Sequence, residues 1–261
     1  MISARTNPTL KLVRKLLAQK RKRAELGLFV VEGEDLVEAA RAAGIEPIEL
    51  LVAGETVEEE LLAELSTLPH PARTIGVYRK ADLPRGERET TVALWRVVDP
   101  GNLGTLLRAA DAFGAAVALS AGCADPLGPK ALRASVGAIF HVPLLALEDA
   151  PKPWIALAAH GGRPLPELDL VGPLTFLLGA EREGLPEDLV AQCDEVATIV
   201  TTGAAESLNV AVAGAIALYE RSRAGPVTSP GASASTAASA ATPAGEAASS
   251  SAGARRGRSE S

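Results

Sequence analysis

At 261 residues the chain is long enough for two domains. Its 47% hydrophobic share suffices for packed cores, which Leu, Val and Ala must fill because aromatics make up only 3%. The formal net charge of −6 is unevenly spread. Residues 1–23 hold Arg5, Lys11, Arg14, Lys15, Lys20, Arg21, Lys22 and Arg23 and no acid, which points to a polyanionic partner at that end. Cys123 and Cys193 lie far apart with no C-x-x-C, and His70, His141 and His160 are scattered, so neither a disulfide framework nor a metal site is indicated. With no N-terminal apolar segment and no run long enough to span a bilayer, a cytoplasmic protein without membrane contact is expected.

Taken in order, Asn7 before Pro8 reads as a helix cap with proline at the first helical position. Leu10, Val13, Leu16 and Leu17 then recur at helical spacing behind the cations. Residues 29–33 read as a strand, 35–43 as a helix closed by Gly44, 49–52 as a strand, 57–65 as a helix and 74–78 as a strand. A polar connection over 84–90 ends this small α/β unit, assigned to residues 1–90. The densest cation run in it, Lys20, Arg21, Lys22 and Arg23, is the candidate contact for that polyanion.

Residues 91–224 form a second unit. Apolar runs at 92–98, 116–120, 140–145, 175–178 and 196–200 have strand length, and helical patterns at 104–113, 130–137, 154–159 and 186–192 fall between most of them. That alternation implies an α/β fold with a mostly parallel sheet covered on both faces. A last helix over 207–221 is apolar almost all round and is therefore expected to be buried on all sides. Part of that burial is assigned to a partner subunit approaching its small residues Ala211, Ala213, Gly214, Ala215 and Ala217. Residues 225–261 are low-complexity Ala/Ser/Gly/Pro and are expected to be disordered.

Three junctions carry the chemistry. In the first, a glycine-punctuated turn over 99–104 follows a strand and opens a helix whose only cation is Arg108. Open α/β sheets place ligands at such points, where strand carboxyl ends and free helix N–H groups converge. In the second, Gly179 comes directly off a strand, where a missing side chain permits close ligand approach, and Glu181 follows it into the crevice. In the third, Ser207 fits a helix N-cap, while Asn209 falls inside the first turn of an apolar helix, where a buried amide needs partners.

These segments, in this order, resemble the SpoU/TrmH-type RNA 2′-O-ribose methyltransferases of the SPOUT superfamily. The resemblance rests on Asn102-Leu103-Gly104 with Arg108 and Ala112-Phe113-Gly114, and on an R-x-S-x-G segment at Arg133, Ser135 and Gly137. Leu178-Gly179-Ala180-Glu181 with Gly184-Leu185, and Ser207-Leu208-Asn209-Val210 with Leu218-Tyr219-Glu220, complete it across residues 92–221. One departure is Val200-Thr201, where the family usually has proline followed by an apolar residue.

The resemblance implies a knotted C-terminal SPOUT domain preceded by a small L30e-like, RNA-binding α/β domain. It implies S-adenosylmethionine (S-adenosyl-L-methionine) as cofactor, held at Gly179, Ile199 and Leu208, and no metal. Arg108, Asn102, Glu181, Ser207 and Asn209 take the catalytic positions, and Arg133 joins the cation run as an RNA contact. A homodimer through the last helix and the knot region is implied too. Arg108 has two open roles: a base for the 2′-proton, or a cation that stabilises the developing alkoxide and holds a phosphate. Arginine stays protonated in proteins, so the second is the smaller demand. The expected target is ribosomal RNA, since the extra domain suits recognition of a structured hairpin away from the chemistry. The alternatives are a tRNA target, or a non-catalytic RNA-binding or ribosome-assembly protein on the same scaffold.

Overall fold

The computed structural model describes residues 1–181, 183–203 and 206–224, so the expectation for 225–261 lies outside the described residues. Helix α1 (Pro8–Ala18) starts as its sequence dictates: the Asn7 side chain accepts the Thr9 N–H at 2.8 Å, and Leu10, Val13, Leu16 and Leu17 form its buried stripe. Gln19 is extended and breaks the helix, and α2 (Lys20–Leu26) follows. Strand β1 (Leu28–Glu32), α3 (Glu34–Ala42), β2 (Glu49–Val52), α4 (Glu59–Leu65) and β3 (Thr74–Arg79) complete the first layer. Its three strands are antiparallel in the order β1-β3-β2.

Alternation along β1 separates two cores. Val30 packs with Leu10, Leu16, Leu62 and Val77 under α1 and α4. Phe29 faces the other way, stacked on Tyr78 with ring centroids 5.7 Å apart, and Tyr78 in turn lies 6.0 Å from Phe140 of the second layer. One continuous core therefore joins the layers.

The second layer contains β4 (Thr90–Leu94), α5 (Pro100–Ala112), β5 (Ala116–Leu119), α6 (Pro129–Ser135), β6 (Leu144–Ala146), β7 (Trp154–Leu157), β8 (Arg163–Pro164), β9 (Leu174–Leu178), α7 (Glu187–Val190), β10 (Glu195–Thr198) and α8 (Val210–Ala224). All pairs are parallel, in the order β6-β5-β4-β9-β7-β10-β8. The parallel α/β sheet read from the sequence is present. Val92, Leu94, Phe176 and Leu178 face the helices α5, α6 and α8, while Ala93, Ala118 and Leu177 face Leu147, Trp154 and Leu189.

Several local expectations change. Residues 154–157 are strand β7, not helix, and lie between β9 and β10. A four-residue apolar run carries no periodicity, and a strand buried on both faces looks like a buried helix. The strand at 140–145 shortens to β6, because Val136 (φ 48) and Gly137 (φ 88) turn the chain into a 3-10 turn over Ala138–Phe140. Helix α5 begins at Pro100, so the glycine-punctuated segment is its first turn rather than a loop; Asp99 caps it by accepting the Asn102 N–H at 2.8 Å.

Gly104 then has a packing reason. A Cβ there would lie 2.8 Å from the Ala134 carbonyl carbon, so the glycine lets α6 press against α5. Gly214 plays the same part for α8, where a Cβ would collide with Leu106. Gly214 of α8 is thus spent on α5 of the same chain.

Candidate active site

Strands β9, β7 and β10 are neighbours and parallel, so their carboxyl ends send three loops to the same edge of the sheet. Between these loops and the start of α8 lies a cavity of about 320 Å³. Gly179, Ile199 and Leu208 line it, as do Glu181 and Ser207. The segment Leu157, Ala158 and Ala159 supplies a wall that the sequence reading missed, since it took 154–159 for a helix. The signal was present in Trp154-Ile155-Ala156-Leu157 behind Pro153, a run of strand length.

The missing side chain of Gly179 also serves a contact within the chain. A Cβ there would overlap the backbone of Gly184 and Leu185, which crosses directly over it. Ala180 and Gly184 form an antiparallel bridge, with the Gly184 N–H donating to the Ala180 carbonyl at 3.0 Å and Gly184 itself at φ 65. The chain's own return path fills the space that glycine leaves, and fixes the loop as a wall.

At the rim, three polar side chains form one chain. Asn209 accepts the N–H groups of Ala211 (2.9 Å) and Val212 (3.3 Å) on Oδ1 and so caps α8, the role anticipated for Ser207. With Oδ1 committed to donors, Asn209 can present only Nδ2, which donates to Asn102 Oδ1 at 3.0 Å. Asn102 is left with Nδ2, which donates to Glu181 Oε1 at 2.9 Å. Donor and acceptor chemistry thus sets both amides. Asn209 is an exposed cap rather than a buried amide within the helix.

Arg108 stands two turns into α5, exposed, and among the described residues it forms no hydrogen bond or ion pair. At 100° per residue it leaves the helix about 120° round from Asn102. The structure does not join it to the rim cluster within one chain.

The five candidate RNA cations separate. Arg23 is buried, donating from Nε to Asp125 at 2.8 Å and also bonding the Leu16 and Leu17 carbonyls, so it ties α2 to the loop after β5. It belongs to the fold and leaves the RNA-contact set. Lys20 reaches the Cys123 carbonyl at 3.2 Å, Lys22 pairs with Glu25 at 3.0 Å, and Arg21 is exposed. Arg133 donates to Thr67 at 3.0 Å and lies 3.8 Å from the buried Glu32 carboxylate, a second tie between the layers. Burial pushes the Cys193 thiol up, which makes it less nucleophilic. Among the described residues no group of His, Cys, Asp and Glu is arranged to hold a metal, and no helix is long and apolar enough to cross a membrane.

A parallel sheet with a ligand-sized cavity at its carboxyl edge, behind a separate antiparallel unit, is the architecture of the SPOUT class of RNA methyltransferases. Residues 89–219 match the model of the SpoU rRNA Methylase family, and residues 7–81 match the MRM3-like substrate binding domain. The chain belongs to the SpoU rRNA methylase family. It is 32% identical over 231 residues to the 23S rRNA (guanosine(2553)-2'-O)-methyltransferase RlmP of Bacillus subtilis, covering 78% of this chain and 92% of that one. An AdoMet-bound rRNA methyltransferase from Sinorhizobium meliloti superposes with a TM-score of 0.74 at 31% identity, over 85% of this chain and 97% of that one. The SpoU methyltransferase AviRb of Streptomyces viridochromogenes, solved with AdoMet, gives 0.73 at 26% identity, over 83% and 97%.

Proposed function

We propose that this chain transfers a methyl group from S-adenosylmethionine to a ribose 2′-hydroxyl of ribosomal RNA. The observation that carries the reading is the Asn209–Asn102–Glu181 chain standing at the rim of the cavity lined by Gly179, Ile199 and Leu208. RlmP of Bacillus subtilis, which overlaps this chain over 92% of its own length, bears that activity in its name.

The residues present fit the cofactor. The cavity is at the lower end of small-ligand sites, and Leu157, Leu178, Ile199 and Leu208 offer apolar walls for an adenine, with main-chain groups of three loops for its polar edge. When bound, the cofactor supplies an electrophilic methyl group on a sulfonium. The protein's own part is positioning and electrostatics. Glu181 has Oε1 engaged by Asn102, which leaves Oε2 to accept a hydrogen bond from an incoming hydroxyl. Asn102 and Ser207 orient the ribose. Among the described residues Arg108 is exposed with no hydrogen-bond or ion-pair partner, which favours the clamp over the base: it holds a phosphate and offsets negative charge growing on the 2′-oxygen while the hydroxyl proton passes to solvent.

Residues 1–90 recognise the RNA at a distance from a knotted transferase domain at 91–224. The chain works as a cytoplasmic homodimer, for which α8 keeps Val212 (48% exposed) and Tyr219 (52%) outward once its other face is spent on α5.

The test is a map of 2′-O-methyl sites in total RNA with and without the protein. Loss of methylation at one ribosomal nucleotide is expected. Loss in tRNA alone would move the substrate, and an unchanged map would leave a non-catalytic RNA binder.

A further inference from the structure

We infer that Arg96 grips a phosphate of the RNA strand beside the nucleotide being modified, and that its backbone is held strained to do so; this rests on the methyltransferase reading. Among the described residues only Arg96 (φ 52) and Val136 are non-glycines with positive φ. L-residues avoid that region because Cβ crowds the following carbonyl, whereas glycine would occupy it freely. Such outliers persist where the surroundings impose them and tend to mark functional positions.

The surroundings here do impose it. The Arg96 N–H donates to the buried Ser120 Oγ at 2.9 Å, and the Ala124 N–H donates to the Val97 carbonyl at 2.8 Å, so the loop after β5 pins both sides of the kink. Gly122 lies beside the stem, where a Cβ would stand at ordinary contact distance, 3.5 Å, from Arg96 Cγ. The guanidinium carbon sits 5.9 Å from the centroid of the Trp95 ring, which steadies it by cation–π attraction. Among the described residues Arg96 has no carboxylate partner, and it is exposed. A charge held this firmly and left unneutralised is directed outwards.

Its place in the sheet names the ligand. β4 lies between β5 and β9, so Arg96, two residues beyond β4, stands between two features. On one side is the Asn102–Glu181 pair over β4 and β9. On the other is the loop after β5, where Lys20 meets Cys123 and Arg23 meets Asp125 to dock the basic first helices. An RNA strand running from those helices to the reacting ribose passes Arg96. The planar fork of N–H donors on arginine matches phosphate oxygens in two-point contact.

The experiment compares wild type with Arg96→Gly, which relieves the backbone, and Arg96→Gln, which keeps the strain and most of the stem without the charge. Each is assayed for binding to transcribed 23S rRNA across a salt series, for methyl-transfer kcat and KM, for S-adenosylmethionine affinity and for Tm. Both variants should raise the RNA KM about fivefold and flatten the logarithmic salt slope by about one, with kcat and cofactor affinity unchanged. Arg96→Gly should also raise Tm, a gain in stability coupled to a loss of binding. Wild-type KM and salt slope in both variants, from an enzyme that does methylate RNA, overturns the Arg96 assignment alone. A lower Tm in Arg96→Gly with wild-type KM in Arg96→Gln makes the side chain structural and overturns it too. Wild-type protein that binds the RNA but transfers no methyl overturns the ribosomal RNA methyltransferase reading instead, and the salt slopes still judge Arg96.

Discussion

The Asn209 side-chain amide donates to Asn102 Oδ1 across 3.0 Å, joining two residues 107 positions apart at the starts of α8 and α5. The same side chain caps α8 through its oxygen. Stability and orientation can therefore be separated. Asn209→Asp keeps the capping oxygen but turns a carboxylate towards Asn102 Oδ1, so it should retain the melting temperature while methyl transfer falls about 10- to 100-fold. Asn209→Ala should lose the transfer and about 1 kcal/mol of stability as well. Thermal unfolding and single-turnover transfer on the same preparations decide; full activity in Asn209→Asp would show that amide orientation is immaterial.

Arg108 is tested through its pH profile. A clamp needs only the positive charge, so Arg108→Lys should give a single-turnover profile of the same shape at lower height, and Arg108→Ala should weaken RNA binding together with turnover. A profile displaced to lower pH in the lysine variant would make this side chain the base. Undiminished transfer in Arg108→Ala would remove it from the site.

The two halves of the cation run should behave oppositely. Arg23→Met strands Asp125, whose side chain is only 15% exposed, and leaves two carbonyls unpaired, so urea unfolding should show a loss of about 3 kcal/mol. Adding Asp125→Leu should recover much of it. Replacing Lys20, Arg21 and Lys22 together should cost little stability but weaken RNA binding and flatten its salt dependence. Loss of RNA affinity in Arg23→Met at full stability would return Arg23 to the binding surface.

Tyr78 sets an alkaline limit. Burial, aided by Glu46 and opposed by Arg41, pushes its phenol from 10.0 up to about 12. The unfolded chain loses this proton first, so the contribution to stability is complete below pH 10 and disappears as pH rises towards 12. The hydroxyl has no hydrogen-bond partner among the described residues, so Tyr78→Phe should leave stability at pH 7 equal or higher and remove this alkaline dependence. Because the chain has only two tyrosines, absorbance titration of Tyr219→Phe reads Tyr78 alone. A midpoint near 10 would contradict the burial argument.

What the sequence disclosed follows from how local each cause is. The Asn7–Pro8 start and the stripe of α1 are set within one helix and could be read directly. Asn102 and Glu181 stood out at turns that follow strands, and Asn209 as an amide in an apolar helix, and the fold brings these three together. Gly104 and Gly179 were visible as glycines, but their reasons, the backbones of α6 and of Gly184–Leu185, lie elsewhere in space. The inward turn of Arg23 depends on Asp125, 102 positions away, and no local pattern encodes it. The bend at Arg96 was invisible for the same reason, since Ser120 and Ala124 pin it from the loop after β5.

The cavity walls come from Leu157–Ala159, from the crossing near Gly184 and from the start of α8, so no continuous piece of the chain contains the site. A polypeptide still emerging from the ribosome has nothing with which to hold a small ligand until Val210 and Ala213 have been added and packed. Ligand capture then doubles as a report that synthesis has passed the last helix, and a ligand that binds only the finished form draws the folding equilibrium towards it.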